Sequence, residues 1–280
     1  MLENHLKQYS SAPLPFMRQK RRFIKDFKEA LKLFDKKTVF VDLFGGSGLL
    51  SHVAKRERPD ARVIYNDYDD YHIRLKNIDK TNKLLADIGE IVAHIPKEYK
   101  LPPQIREAIL HRIKKEEEKH SWVDYTTLSS SVLFSTNYVA NFEELKQSTL
   151  YNNIIQKDYN CNGYLEGLEV VKYDYRELFE QFKTQKNVVF IVDPPYLSTK
   201  AGNYKNYWKL ADYLDVLNVI KDVSYIYFTS NKSSIIELLQ WLEYNLNAVN
   251  PLYGAIRRET RNQMNYYSVY KDIMLYKNIE

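Results

Sequence analysis

The chain has 280 residues, 28% of them charged, with a net charge of +5 and one cysteine, Cys161. That length suits one large α/β domain or a core domain with an insert. No apolar run approaches the roughly 20 residues of a membrane span or forms an N-terminal signal segment. A single cysteine excludes an internal disulfide and a cysteine zinc cluster, and the histidines show no ligand-spaced pair, so no metal and an intracellular, reducing setting are expected.

Residues 1–19 read as irregular, with Pro13 and Pro15 marking a loop. Phe23, Ile24, Phe27, Ala30, Leu31 and Phe34 are spaced for an amphipathic helix over 20–34 with a basic outer face. Residues 1–40 hold ten Lys or Arg against four acids, an excess suited to a polyanion such as nucleic acid. The β-branched run 38–43 predicts a first strand, residues 44–48 a glycine turn, and 49–56 a helix. A second strand over 61–65 ends in Asn66-Asp67, and a helix is expected over 71–85.

From 88 to 166 the strand–helix alternation fails. Pro96, Pro102 and Pro103 interrupt it, 104–120 is a charged helix, and 121–135 is rich in Ser and Thr. This stretch reads as a helical insert dividing a core of 1–87 and 167–280. Alternation resumes with a strand at 168–173, a helix at 176–182, and the apolar strand 188–192 leading into Asp193-Pro194-Pro195-Tyr196. Residues 198–207 are a polar, Tyr-rich loop. A helix follows at 213–223, a strand at 225–229, a helix at 235–244, and two final strands at 248–256 and 268–276. The pattern predicts an α/β fold with a doubly wound, mostly parallel sheet.

Four strand ends carry the chemistry. Asp42-Leu43-Phe44-Gly45-Gly46-Ser47-Gly48 joins a strand to a helix, where glycines admit close backbone approach and helix-terminal amides can receive polar groups. It completes neither a P-loop nor Gly-x-Gly-x-x-Gly, and a tight turn alone also accounts for it. Asp67 is placed to hold ribose hydroxyls, and Asp174 with Tyr175 to hold an adenine. Three strand-end carboxylates suit a cationic nucleoside better than a pyrophosphate. In the tetrapeptide, the Asp193 carboxylate and Pro194 carbonyl can accept an exocyclic amine's hydrogens while Tyr196 forms an aromatic wall. Taken alone, it serves equally as a strand-ending turn.

In this order the motifs resemble the Dam-type family of DNA adenine-N6 methyltransferases. Pro15-Phe16 with Lys20 resembles its N-terminal cofactor motif, although Met17-Arg18-Gln19 replaces the usual Gly-Gly pair. Asp42, Phe44, Gly45, Gly46 and Gly48 match its cofactor loop, Asn66-Asp67 its ribose motif, Asp174-Tyr175 its adenine pair, and Asp193-Pro194-Pro195-Tyr196 its catalytic motif. The resemblance implies a seven-stranded Rossmann-like methyltransferase sheet, S-adenosyl-L-methionine as cofactor, and direct methyl transfer to a flipped-out adenine. It implies catalytic roles for Asp193, Pro194 and Tyr196, and double-stranded DNA as partner, with the insert recognising the target. It further implies a cytoplasmic monomer, bacterial or phage-encoded, paired with a cognate restriction endonuclease where it serves a restriction–modification system. The insert lacks the hairpin pattern of GATC readers. Cytosine-N4 methylation, RNA as substrate, and a DNA-binding homologue without catalysis stand as alternatives. Candidate DNA contacts are Arg18, Arg21, Arg22, Asn137, Tyr204, Tyr207, Arg257 and Arg258. A solvated helix start accounts equally well for the first basic group, and the C-terminal arginines share that ambiguity.

Overall fold

The structure is a computed structural model and describes residues 7–17, 19–134, 137–155, 157–195, 208–265 and 268–279. Two compact units emerge. One comprises Met1–Ser11, Gln19–Tyr71 and Gly163–Glu280; the other comprises Ala12–Arg18 and His72–Asn162. The insert expected at 88–166 falls in the second unit except for its last four residues.

The first unit is built on seven strands. They are β1 (Val39–Asp42), β2 (Val63–Asn66), β3 (Glu169–Val171), β4 (Val188–Val192), β5 (Ser224–Ser230), β6 (Ile256–Asn265) and β7 (Ser268–Lys277), in the spatial order β3-β2-β1-β4-β5-β7-β6. The first five run parallel, and β7 pairs antiparallel with both β5 and β6. This is the doubly wound, mostly parallel α/β sheet that the alternation predicted, with the seven strands that the family resemblance implied. Strand β4 is buried throughout, which explains its unbroken apolar run.

Helices cover both faces. On one, α1 (Ile24–Leu31) and α2 (Leu49–Glu57) bury Phe27, Leu31, Val53 and Ala54 against Phe40, Ile191 and Phe228. On the other, α8 (Tyr175–Phe182), α9 (Leu210–Val219) and α10 (Ile235–Leu246) bury Leu178, Val216 and Leu239 against Val41, Phe190 and Tyr227.

The second unit is helical among the described residues. It contains α3 from His72 onward (the helix spans Tyr71–Lys76), α4 (Ile78–Ile91), α5 (Pro103–His120), α6 (Tyr125–Val132) and α7 (Phe142–Gln147). Its core is its own, with Leu84, Ile88, Ile109, Ile113, Leu128 and Leu145 packed together. Arg74 organises one end. Its Nε lies 3.0 Å from both carboxylate oxygens of Asp124, and its Nη2 donates to the Pro15 carbonyl at 2.8 Å. Asp124 also caps α6 by accepting from the Thr127 amide at 3.0 Å.

Several boundaries differ from the periodicity. The helix expected over 20–34 is a 3-10 turn, Arg21–Phe23, followed by the shorter α1. The expected helix 71–85 breaks at Asn77, whose side-chain amide donates to the Ile73 carbonyl at 2.9 Å and competes with the helical ladder. α9 starts at Leu210 because the Asp212 carboxylate accepts from the Lys209 amide at 2.8 Å. The strand expected over 248–256 is displaced to 256–265, since Pro251 and Gly254, at φ 74°, turn the chain first.

Asn66 ties three strand ends together. Its Nδ2 donates to the carbonyls of Leu43 and Tyr173, each at 3.0 Å, and its Oδ1 accepts from the Tyr173 amide at 2.9 Å. Asn66→Ala is expected to destabilise the protein by about 2 kcal/mol, because buried backbone groups lose their partners. Urea unfolding followed by far-UV circular dichroism measures it.

Candidate active site

The site lies at the carboxyl ends of the central strands, all within the first unit. The register pairs Asp42 with Ile191, so β1 ends two residues before Asp193 on the adjacent β4. The Leu43 amide donates to the Ile191 carbonyl at 3.0 Å, after which the two chains separate. Such an edge, where neighbouring connections leave the sheet on opposite faces, is where open α/β sheets bind ligands.

Asp193 and Pro195 are half-buried there, and Pro194 is buried. The Lys20 ammonium lies 2.7 Å from Asp193 Oδ2, with the two side chains only 8% and 18% exposed. The same ammonium stands 5.9 Å from the centre of the Phe228 ring on β5. Asp42 is fully buried. Its Oδ2 accepts from Ser51 Oγ at 2.6 Å, while its Oδ1 has no hydrogen-bond partner among the described residues. Burial pushes the Asp42 carboxyl up to about 7 against the opposing pull of the Ser51 hydrogen bond, and the nearby Asp193 charge adds to the rise.

The glycine turn is shaped by Tyr65. Its hydroxyl donates to the Gly46 carbonyl at 2.8 Å, and its ring packs so closely that a Cβ on Gly45 would sit 2.3 Å from Cδ2. Gly46 and Gly48 have φ of 50° and 73°, conformations that favour glycine. Gly48 then starts α2 with no side-chain cap, leaving first-turn amides available to a polar ligand.

Phe44, Tyr175 and Trp208 form an aromatic cluster beside this turn, with Phe44 4.9 Å from Tyr175 and 5.6 Å from Trp208 between ring centres. Tyr175 is buried and its hydroxyl has no hydrogen-bond partner among the described residues; burial pushes its pKa up to about 12. Asp67 is buried at the end of β2 and accepts from the Tyr71 amide at 2.7 Å. Asp174 caps α8 by accepting from the Arg176 amide at 2.9 Å and is otherwise exposed. The orphaned Asp42 and Tyr175 oxygens, uncapped amides and aromatic faces fit a ligand with a cationic group and a flat heterocycle.

The structure thus gathers Lys20, Asp42, Phe44, Gly45, Gly46, Gly48, Asp67, Tyr175, Asp193 and Pro194 at one sheet edge, with Asp174 at the neighbouring helix start. Phe16 is half-buried in the second unit. Tyr196, Arg18, Tyr204 and Tyr207 lie outside the described residues. Arg21 and Arg22 are exposed on the 3-10 turn, and Arg22 Nη1 donates to the Arg261 carbonyl on β6 at 3.2 Å. Arg257 is 2.6 Å from Glu259 and Arg258 is 3.9 Å from Asp26, so these two exposed arginines carry local counter-charges. Asn137 is exposed in the second unit. The supporting roles of Tyr65, Asn66 and Ser51 escaped the sequence reading: each acts on a backbone or side-chain group distant in the chain. Among the described residues, no group of three or more His, Cys, Asp or Glu is placed to hold a metal, and no helix is long and apolar enough to cross a membrane.

A model of D12 class N6 adenine-specific DNA methyltransferases matches residues 19–253. A Haemophilus influenzae Rd protein assigned as a methyltransferase is 36% identical over 97% of this chain and 93% of its own length. Among solved structures, precorrin-6y C5,15-methyltransferase of Geobacter metallireducens GS-15 aligns at 9% identity, with a TM-score of 0.38 over 96% of this chain and 97% of that one. An rRNA methylase of Streptococcus thermophilus aligns at 10% identity, with a TM-score of 0.31 over 94% and 99% of the two chains.

Gly45→Ala is expected to cost about 1–3 kcal/mol, because the new methyl meets the Tyr65 ring and the Asn66 carbonyl, 2.7 Å away. The urea midpoint measures the loss. Asp42→Asn tests the buried carboxyl. A folded pKa raised above the unfolded one favours the native state at low pH, and that stability is lost as pH rises from about 4 towards 7. The stability of Asp42→Asn relative to wild type should therefore increase across that window, by roughly 1.4 kcal/mol per pH unit at most. Urea titrations at pH 4.5, 5.5 and 7 check the sign.

Proposed function

Because the chain belongs to the D12 class N6 adenine-specific DNA methyltransferase family, we propose that it transfers a methyl group from S-adenosyl-L-methionine to N6 of a flipped-out adenine in double-stranded DNA. The observation that carries this reading is the Asp193-Pro194-Pro195 turn at the carboxyl end of β4, next to the glycine turn that follows β1. When bound, the cofactor supplies an electrophilic methyl on a sulfonium. The glycine turn and the uncapped start of α2 would hold its polar groups, Asp67 its ribose, and Phe44 and Tyr175 its adenine ring. The buried Asp42 carboxyl, close to Asp193, adds negative charge on the side a cationic ligand would approach.

Asp193 and the Pro194 carbonyl would accept the hydrogens of the target amine and hold its lone pair out of conjugation with the ring. Such binding favours the transition state over the ground state. Two prolines support this by fixing the backbone, so the two acceptors do not have to be ordered when the base arrives. Tyr196, next in the motif, would stack on the base. Lys20 pairs with Asp193 at 2.7 Å and would help hold that side chain in place. The basic segment Arg18, Arg21 and Arg22, together with Arg257 and Arg258, would contact phosphates, with Asn137, Tyr204 and Tyr207 as further DNA contacts. No covalent intermediate is required, and Cys161, half-buried in the second unit with its thiol pushed up by burial, has no part in the reaction.

Asp193→Ala should lower label transfer from methyl-labelled cofactor to plasmid DNA by roughly 1000-fold while leaving cofactor binding, read by calorimetry, within a few fold. Wild-type transfer by this variant refutes the role of Asp193. Mass analysis of nucleosides from the methylated DNA identifies the base, with N6-methyladenine expected and N4-methylcytosine refuting adenine specificity.

A further inference from the structure

Tyr65 is not the only side chain that grips the glycine turn. Tyr164 reaches it from the segment that begins at Gly163, where the chain re-enters the first unit. Tyr164 is fully buried, and its hydroxyl donates to the Ser47 carbonyl at 3.0 Å, 117 positions away in sequence. Leu165 packs on the same turn: a Cβ on Gly48 would stand 3.5 Å from its Cδ2. Residues 163–166, expected within the insert, therefore belong to the unit that carries the glycine turn, and two of them touch it.

The two tyrosine hydroxyls act on consecutive peptide planes. Tyr65 holds the Gly46 carbonyl at 2.8 Å, and Tyr164 holds the Ser47 carbonyl. A trans peptide points its N–H opposite to its C=O. Fixing the Gly46 carbonyl therefore aims the Ser47 N–H, and fixing the Ser47 carbonyl aims the Gly48 N–H, which donates to the Gly45 carbonyl at 2.7 Å. Glycines visit several backbone regions about equally, so a turn with Gly45, Gly46 and Gly48 has many shapes open to it. Braces that select one shape in advance reduce the ordering cost of binding a ligand there.

Tyr164 is itself held from α2. His52 Nδ1 lies 2.7 Å from the Tyr164 carbonyl, and the two rings stack at 4.8 Å with 17° between their planes. His52 Nε2 accepts from the Tyr9 amide at 3.1 Å, so the ring proton sits on Nδ1 and is donated to Tyr164. Burial holds the imidazole pKa down to about 4, which keeps this neutral form near neutral pH. The Tyr9 ring closes edge-on over both, 5.4 Å from the His52 centre and 5.0 Å from that of Tyr164. One turn further along α2, Arg56 Nη2 donates to the Gly163 carbonyl at 2.5 Å.

We propose that Tyr164 is a positioning residue for the cofactor: its hydroxyl, together with that of Tyr65, locks the glycine turn in the shape that receives S-adenosyl-L-methionine, while His52 and Tyr9 hold its ring in place. The proposal rests on the methyltransferase reading of this sheet edge. It gives a part in cofactor binding to a residue that touches the turn without standing in any of the motifs.

The test compares two deletions of the same kind in the full chain. Tyr164→Phe keeps the stacked ring and removes only the hydroxyl. Tyr225→Phe is the control. Its hydroxyl is also buried and also donates to a backbone carbonyl, that of Pro251 at 3.0 Å, but Tyr225 stands at the amino end of β5, opposite the carboxyl edge. Calorimetric titration with S-adenosyl-L-methionine, without DNA and at a temperature where circular dichroism shows each protein folded, reads the effect. Tyr164→Phe should bind about fivefold more weakly than wild type, the scale of one neutral hydrogen bond, and Tyr225→Phe should bind as wild type does. Unchanged affinity in Tyr164→Phe overturns the inference, and so does an equal loss in Tyr225→Phe. Tyr9→Ala leaves the Tyr164 hydroxyl but removes the ring closing over it, and should weaken binding about threefold; if Tyr164→Phe fails to fold, unchanged affinity in Tyr9→Ala overturns the inference. A wild type that binds no S-adenosyl-L-methionine overturns the methyltransferase reading and this inference with it, whereas wild-type binding that Tyr164→Phe retains in full overturns the inference alone.

Discussion

The site depends on a charge pair held at the end of the central strand. Lys20 and Asp193 meet at 2.7 Å with little exposure on either side. Taking two charges out of water costs several kcal/mol each, and only close pairing offsets it. The pair fastens the segment before α1 to the sheet edge. That constraint carries outwards. The adjacent arginine turn is placed beside β6, where Arg22 reaches the Arg261 carbonyl. One ion pair therefore ties the end of β4 to the segment that leads into the arginine turn.

Around this pair the sheet edge is stiff. Pro194 and Pro195 fix the backbone after β4. Tyr65 braces the glycine turn, and Asn66 bonds to backbone groups following β1 and β3. The buried Asp42 carboxyl, with one oxygen unsatisfied, is held at an energetic cost that a cationic ligand would relieve. The second unit has a different economy. Its core is apolar and self-contained, and the Arg74–Asp124 network closes one end of it.

Much of this was legible from the sequence because the signals are local. The run Val188–Val192 can only be a buried strand, two prolines must end it, and glycines between a strand and a helix mark a turn. Strand-end acids fall where such a sheet exposes its carboxyl edge. The motif order pointed to the family, and the match over 19–253 shows it. Proline and the loss of alternation pointed to an insert at 88–166, whereas the second unit takes in Ala12–Arg18 and His72–Asn162. Errors in element bounds came where a side chain competed with the backbone, as at Asn77, or where a turn delayed a strand, as before Ile256.

The sequence by itself determined the strand–helix alternation and that Asp42 and Asp193 stand at or just past strand ends, since each depends on residues within a few positions; it did not place β6 or the end of β3. Only the tertiary structure decided who meets whom. It put Lys20 on Asp193, Ser51 on Asp42 and Tyr65 against Gly45. Such pairings depend on strand order and side-chain direction, which join residues far apart in the chain, and no local periodicity encodes them.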